Sequence, residues 1–467
     1  MPDSIPTHGV IIRAENGDVI RYDETGLVLR LSDKVIADIA ARLDLKPQTI
    51  PAPQVEATPD LPEGVDLWAA RRIGDWVHFQ ANLPGADSAR GYRRHIEGGA
   101  IVAEALGPLL AILGLGGARA GLGSAGPAQF RWHVMGPADD VGAVGMGGEG
   151  EAAETQGLEP LSEVTVEAAL ADTLLARRRE AHQPLPLFFV RAETDTSPAA
   201  TALGTGLAMA NFDRALANLT AAATRLGTKA QVLAIVLDYT LEDLTGDATA
   251  YRDGMIALME RITRGMAKLG LARPVFLAAF DCGTQVVTQG PALDGQWELS
   301  WNHGDHQLVF AAPSYAFELD DTGRLTDAGR LQKAKALASA LLAFRSTNRW
   351  LCPTIQLAEG KGTDIRLICE AMDGLEIVRD DPFAAGKLVG FALEGVTNGA
   401  KITKVEIDKN DPKVVVLRLS KPTEGEVFVT YAHAAAPAIG PYPANRGALR
   451  DTQGRWALPA RLKLTGG

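Results

Sequence analysis

Several short stretches of this sequence carry residue types able to do chemistry. His303-Gly304-Asp305-His306 places two imidazoles and a carboxylate within four positions. Those are transition-metal ligand types, but the helix-borne His-Glu-x-x-His spacing of a zinc protease is missing. A solvated loop is the expectation there, and no metal is expected. Glu242-Asp243 would offer an acid and a base, although adjacent side chains diverge and a carboxylate that opens a helix is equally served by the helix dipole. Trp297 and Trp301 flank Glu298, the composition of a sugar platform in which indole faces meet pyranose C–H groups; a Trp pair that caps a core has the same composition. Gly121-Leu122-Gly123-Ser124-Ala125-Gly126 matches GxGxxG. A dinucleotide loop needs a strand before it and a helix after it, and Pro127 follows instead, so a turn is expected and no cofactor. Ser197 and Ser314 each neighbour a Pro and lack the glycines of a nucleophile elbow.

The elements that would position such residues are readable from periodicity. Apolar runs at 130–135, 187–190, 231–237, 275–280 and 308–311 read as strands, and amphipathic patterns at 164–181, 208–225, 250–269 and 327–344 read as helices. Strands alternating with helices predict an α/β domain over 130–345, a parallel sheet with helices on both faces. Ligands of such sheets sit at the carboxyl ends of the strands. Before it, 65–129 reads as a helical section, with 101–115 as an Ala/Leu-rich helix. After it, 346–467 reads as a β-sandwich with a long return loop, in which Arg446 and Arg450 are expected to anchor the packing.

The first 45 residues predict a small α+β unit. Glu15-Asn16-Gly17-Asp18 is a hairpin signal, a third strand lies at 27–31, and Ser32 would cap a helix. Five prolines between Lys46 and Gly64 predict a semi-rigid linker over 46–64. The unit is thereby set apart, as an anchor to a larger assembly would be.

Composition narrows the partners. The 467 residues carry 46 Lys+Arg against 57 Asp+Glu, a net charge of -11, which argues against a nucleic-acid partner. Three scattered cysteines offer neither a disulfide framework nor a metal pair and fit synthesis in a reducing cytoplasm. The start has no signal-peptide pattern, and no apolar run reaches the ~20 residues of a membrane span.

Five blocks then fall in order: Gly136-Pro137-Ala138-Asp139-Asp140-Val141-Gly142, Gly204-Thr205-Gly206, Asn211, Asp238 to Asp243, and Asp320-Asp321-Thr322-Gly323-Arg324-Leu325-Thr326-Asp327-Ala328-Gly329. Over 130–344 they resemble the SGNH hydrolases, in particular the carbohydrate-esterase branch with a flavodoxin-like sheet. There the first block reads GQSN followed by small residues and Gly, and the last DxxHLT followed by a small residue and Gly. The resemblance puts Ala138 at the place of the nucleophilic Ser and Arg324 at that of the general-base His, with Asp321 kept and facing a guanidinium. A methyl group cannot attack, and an Arg cannot accept a proton. No catalytic residue is therefore expected: either a retired site kept as a sugar-binding cleft of Asp139, Thr205, Glu242, Trp297, Trp301, Asp321 and Arg324, or a filled-in spacer. An active carbohydrate O-acetylesterase is the alternative.

The whole chain, and Trp350-Leu351-Cys352-Pro353 through Asp451 in particular, also resembles the head spike fibres of Rhodobacterales gene transfer agents, which are domesticated phage particles. That resemblance implies a cytoplasmically made protein carried on a particle surface and docked through its N-terminal unit to a capsid or spike-base protein. It also implies a homo-oligomer that attaches to a capsular polysaccharide, with no membrane insertion.

Overall fold

Apolar β-branched runs punctuated by Asn-Gly and similar turns dictate the start of the chain. The computed structural model describes residues 9–14, 17–23, 26–29, 42, 65, 67–86, 88–243, 246–434 and 436–466. Strands β1 (Gly9–Ala14), β2 (Gly17–Asp23) and β3 (Gly26–Leu29) form an antiparallel meander, with Ala14 opposite Gly17. The Ser32-capped helix and the Pro-rich linker lie outside the described residues. The chain divides into two compact units, Met1–Thr58 and Pro59–Gly467.

The helical reading of 65–129 is corrected. This region holds a four-stranded antiparallel sheet of β4 (Leu67–Ile73), β5 (Trp76–Ala81), β6 (Arg90–His95) and β7 (Val102–Ala103). In β5 the side chains alternate, Val77, Phe79 and Ala81 buried and the residues between them half-exposed, a period of two that no helix satisfies. Phe79 and Ala81 pack with Tyr92 and Trp132 in a small core of their own. The stretch read as an Ala/Leu helix supplies β8 (Leu109–Gly116), buried along nearly its whole length. A strand apolar on both faces has no alternation to betray it, so its run of leucines looks like a buried helix.

β8 is the middle strand of a seven-stranded sheet. The ribbon β9 (Ser124–Ala125) follows it, then β10 (Val134–Pro137) and β11 (Leu158–Pro160), with β12 (Glu163–Val164) paired to β9. The remaining members are β13 (Phe188–Thr194), β14 (Ala230–Asp238), β15 (Phe276–Phe280) and β16 (Leu308–Pro313). The order is β11-β10-β13-β8-β14-β15-β16, and only β11 is antiparallel to its neighbour. Helices α1 (Val166–Glu180) and α5 (Asp327–Thr347) join one apolar layer, which takes Phe188 and Val190 from β13. Helices α2 (Gly206–Arg225) and α3 (Ala248–Lys268) join the opposite layer, which takes Phe189. A short α4 (Pro291–Leu299) packs on α3. Thr165, Asp247 and Thr326 accept backbone N–H bonds as N-caps of α1, α3 and α5. The GxGxxG segment leads into β9 and no helix follows it, so it is a turn.

Beyond α5 come β17 (Thr354–Lys361), β18 (Asp364–Glu370), β19 (Leu375–Ile377), β20 (Phe391–Glu394), β21 (Ile402–Ile407), β22 (Val414–Leu419), β23 (Phe428–Tyr431), β24 (Leu449–Asp451) and β25 (Ala460–Thr465). Hydrogen bonds link seven of these strands in the order β20-β23-β25-β17-β18-β22-β21, beside a separate β19–β24 pair. Their core is continuous with that of the parallel sheet: Tyr315, after β16, donates to the carbonyl of Ala457 at 2.8 Å and meets the Tyr431 hydroxyl at 3.2 Å. Arg446 is buried and donates to the carbonyls of Ala384 and Pro443, fixing the return loop, while Arg450 bonds Glu376. Cys282, Cys352 and Cys369 are free and buried, and burial pushes each thiol up to about 12. Among the described residues no helix is long and apolar enough to cross a membrane.

Candidate functional site

Carboxyl ends of parallel strands gather loops and helix starts around one rim, the usual place for a ligand. Here β8 and β14 run side by side to Gly116 and Asp238, and the chain leaves β8 through Gly117-Ala118-Arg119. A Cβ on Gly117 would meet the Glu242 side chain, which lies over the backbone here and would have to swing aside. Two residues on, the Arg119 guanidinium reaches Asp281 at 2.5 Å, Thr240 Oγ1 at 3.0 Å and Glu242 at 3.6 Å. Thr240 also donates its hydroxyl to Asp281, and Asp281 accepts the Gly283 N–H at 2.8 Å. Lys333 of α5 pairs with Asp238 at 2.5 Å.

Electrostatics lock this cluster in its charged form. Burial pulls Arg119 down, yet the carboxylates of Asp281, Asp238 and Glu242 more than offset it and hold the guanidinium above its ordinary value. Burial likewise pushes Asp281 up, but Arg119 and the bonds from Thr240 and Gly283 leave it below the usual carboxylate range. A crevice of about 50 Å³ opens beside the cluster, with Arg119, Ser314, Gly323, Arg324 and Lys333 among its walls. Ser314 Oγ accepts the Cys282 N–H at 2.8 Å, and no histidine lines the crevice. The arrangement can hold a small polar or anionic group. It offers no imidazole to take a proton.

The sequence-derived residues are scattered by the fold. Arg324 is at the crevice and exposed, bonded only through its backbone to Asp320, and Glu242 joins it through Arg119. Asp321 is exposed, and the expected Asp321–Arg324 ion pair does not form: Arg324 has no ion-pair partner among the described residues. Ala138 lies elsewhere, in a crevice of about 300 Å³ with Trp76, His95 and Thr155, so the cleft joining Ala138 to Arg324 is corrected. The cause is β8: taking 130–135 as the first parallel strand displaced the first block by one strand. Asp139 is spent in a buried ion pair with Arg191. Thr205 precedes α2, where its hydroxyl donates to the Ala202 carbonyl at 2.9 Å. Trp297 and Trp301 meet edge to face at 5.6 Å, and Trp297 Nε1 donates to the Ile355 carbonyl at 3.1 Å, which makes Trp297 a packing residue between α4 and β17. His306 meets Phe276 edge to face, and among the described residues no group of three or more His, Cys, Asp or Glu is placed to hold a metal. Arg119, Asp281 and Lys333 escaped the sequence reading; the available signal was the Gly-Gly pair and lone Arg closing an eight-residue apolar run.

The architecture is a mixed α/β fold built on a mainly parallel sheet. It is similar to the structure of a carbohydrate acetylesterase from Xanthomonas citri, 14% identical, with a TM-score of 0.51 over 80% of this chain and 85% of that one. A carbohydrate acetylesterase from Sinorhizobium meliloti is 12% identical with a TM-score of 0.29, covering 50% of this chain and 99% of that one. No protein-family model and no curated protein matches the chain.

Proposed function

We propose that this chain is a non-hydrolytic attachment protein: an SGNH-type domain that grips a surface saccharide, carried as a head spike on a phage-like particle. Support for the SGNH layout comes from β13-β8-β14-β15-β16, which in chain order is 2-1-3-4-5, the flavodoxin-like arrangement, with β10 as a further parallel strand outside β13. With β8 first, the opening block reads Gly116-Gly117-Ala118-Arg119-Ala120-Gly121, and its third residue, Ala118, stands where GQSN carries its Ser. The closing block, Asp321-Thr322-Gly323-Arg324-Leu325-Thr326, precedes α5 with Arg324 in the His place.

An alanine at the first seat, on the exit from β8 between Gly117 and Arg119, is the observation that carries the reading. Acyl transfer needs a nucleophile and a base within hydrogen-bond reach of each other. A methyl group has no atom to attack with, and a guanidinium keeps its proton. The rim retains recognition without bond breaking. Weak single-site affinity would be raised by several spike copies acting together, anchored through the N-terminal unit.

The test combines adsorption with hydrolysis. Purified protein is expected to adsorb saturably to capsulated cells and much less to acapsular ones, and to release no acetate from capsule above the buffer rate. Equal adsorption to both cell types, or acetate release that disappears in Glu242→Gln, would overturn the proposal.

A further inference from the structure

The amino ends of the central strands enclose a hollow that the rim does not use. Leu110 of β8, Phe188 of β13 and Leu233 of β14 join Leu174 of α1 and Leu341 of α5 around a cavity of about 270 Å³. All but Leu110 are buried, and Leu342, 42% exposed, stands at the edge. This floor is apolar. Its margin is not: Arg177 and Arg178 end α1, Arg345 ends α5, and Gln183 lies between.

No Asp or Glu lines the hollow, although the chain as a whole carries a net charge of -11. Arg177 Nη2 donates to Ser339 Oγ at 2.8 Å, and Arg178 Nε to the Pro184 carbonyl at 2.9 Å. Among the described residues none of the three arginines enters an ion pair, and Arg345 makes no side-chain hydrogen bond. Cations at helix C-termini complement the helix dipoles, which accounts for an Arg at each end but not for the leucine-floored space between them.

We infer that this hollow binds a single-chain anionic amphiphile, with its apolar body on the leucines and its carboxylate or phosphate head among Arg177, Arg178 and Arg345. Guanidinium groups make charge-assisted, often paired bonds to such heads. An apolar cavity of ~150 Å³ accepts benzene, so the larger space here suits an acyl chain of medium length. Apolar walls with a few converging polar groups are the usual composition of a small-molecule site.

The experiment titrates decanoate, decyl phosphate, decyltrimethylammonium and octyl glucoside into the full chain by calorimetry, all below their micelle concentrations. One saturable site is expected for decanoate or decyl phosphate, at least tenfold tighter than for the cationic or neutral probe. The tighter anion identifies the head group. Arg177→Gln with Arg345→Gln should weaken anion binding at least tenfold with an unchanged melting temperature. Leu342→Ser, at the exposed edge, should weaken all chains alike. Equal binding of anion and cation, unchanged affinity in the double variant, or adsorption to anionic vesicles without a saturable site for either anion would overturn the inference.

Discussion

Arg119 is the residue on which the rim depends. It is the cation nearest Asp281, whose side chain is 8% exposed, so removing the guanidinium leaves a buried carboxylate without its counter-charge. Breaking a buried pair in this way costs about 3 kcal/mol or more. Arg119→Ala is expected to lower the urea midpoint accordingly, and Asp281→Asn in that background to recover part of the loss; an unchanged midpoint in the single variant would show that the pair is not the anchor described. Ala118→Ser asks whether the lost hydroxyl can be restored. Ala118 is exposed, so a stability change within about 0.5 kcal/mol is expected, with no acetate release because Arg324 remains unable to accept a proton. Asp321 and Arg324 were legible in the sequence as a block. The seat opposite them was not, because its identity depends on which strand comes first.

Elements were legible where one face is wet. Helices α2 and α3 announce themselves through amphipathic spacing, and α1, α3 and α5 through side-chain caps. β8 is buried on both faces, so periodicity had nothing to report, and the whole α/β domain was consequently begun one strand late. β4 to β7 are obscured for a different reason: they are short, and β4 and β6 show little alternation of buried and exposed residues. β13 carries an element-scale prediction. Its Glu193 accepts the Gly147 N–H at 2.8 Å and leaves the other carboxyl oxygen unpartnered, and burial pushes the group up to about 7. Because the folded value is raised, the stabilising protonated form is fully present at low pH and is lost as pH rises through about 7. Asp172, buried beneath the start of the domain and raised to about 6, acts in the same direction. Unfolding free energy should therefore be greater at pH 5 than at pH 8, by on the order of 1–3 kcal/mol, and Glu193→Gln should flatten most of that slope. A profile unaltered by the substitution would remove Glu193 from the account.

At the scale of the molecule, one apolar core runs from the parallel sheet into the C-terminal sheet, with Tyr315, Tyr431 and Leu449 at the junction. Residues 59–466 are accordingly expected to melt in a single calorimetric transition. Tyr315→Phe strands the Ala457 carbonyl and should cost about 1–2 kcal/mol without splitting that transition. Two separate transitions would mean that the sheets are independent bodies.

The place of β25 has a consequence for how the protein is made. Last of its sheet to leave the ribosome, it inserts between β23 and β17 rather than adding to an outer edge. Until it arrives, two strands of the nascent chain present bare backbone edges to any neighbour. Chains stopped before Ala460 should aggregate even though every residue of the rim has already been synthesised, and supplying the missing segment as a peptide during refolding should rescue their solubility.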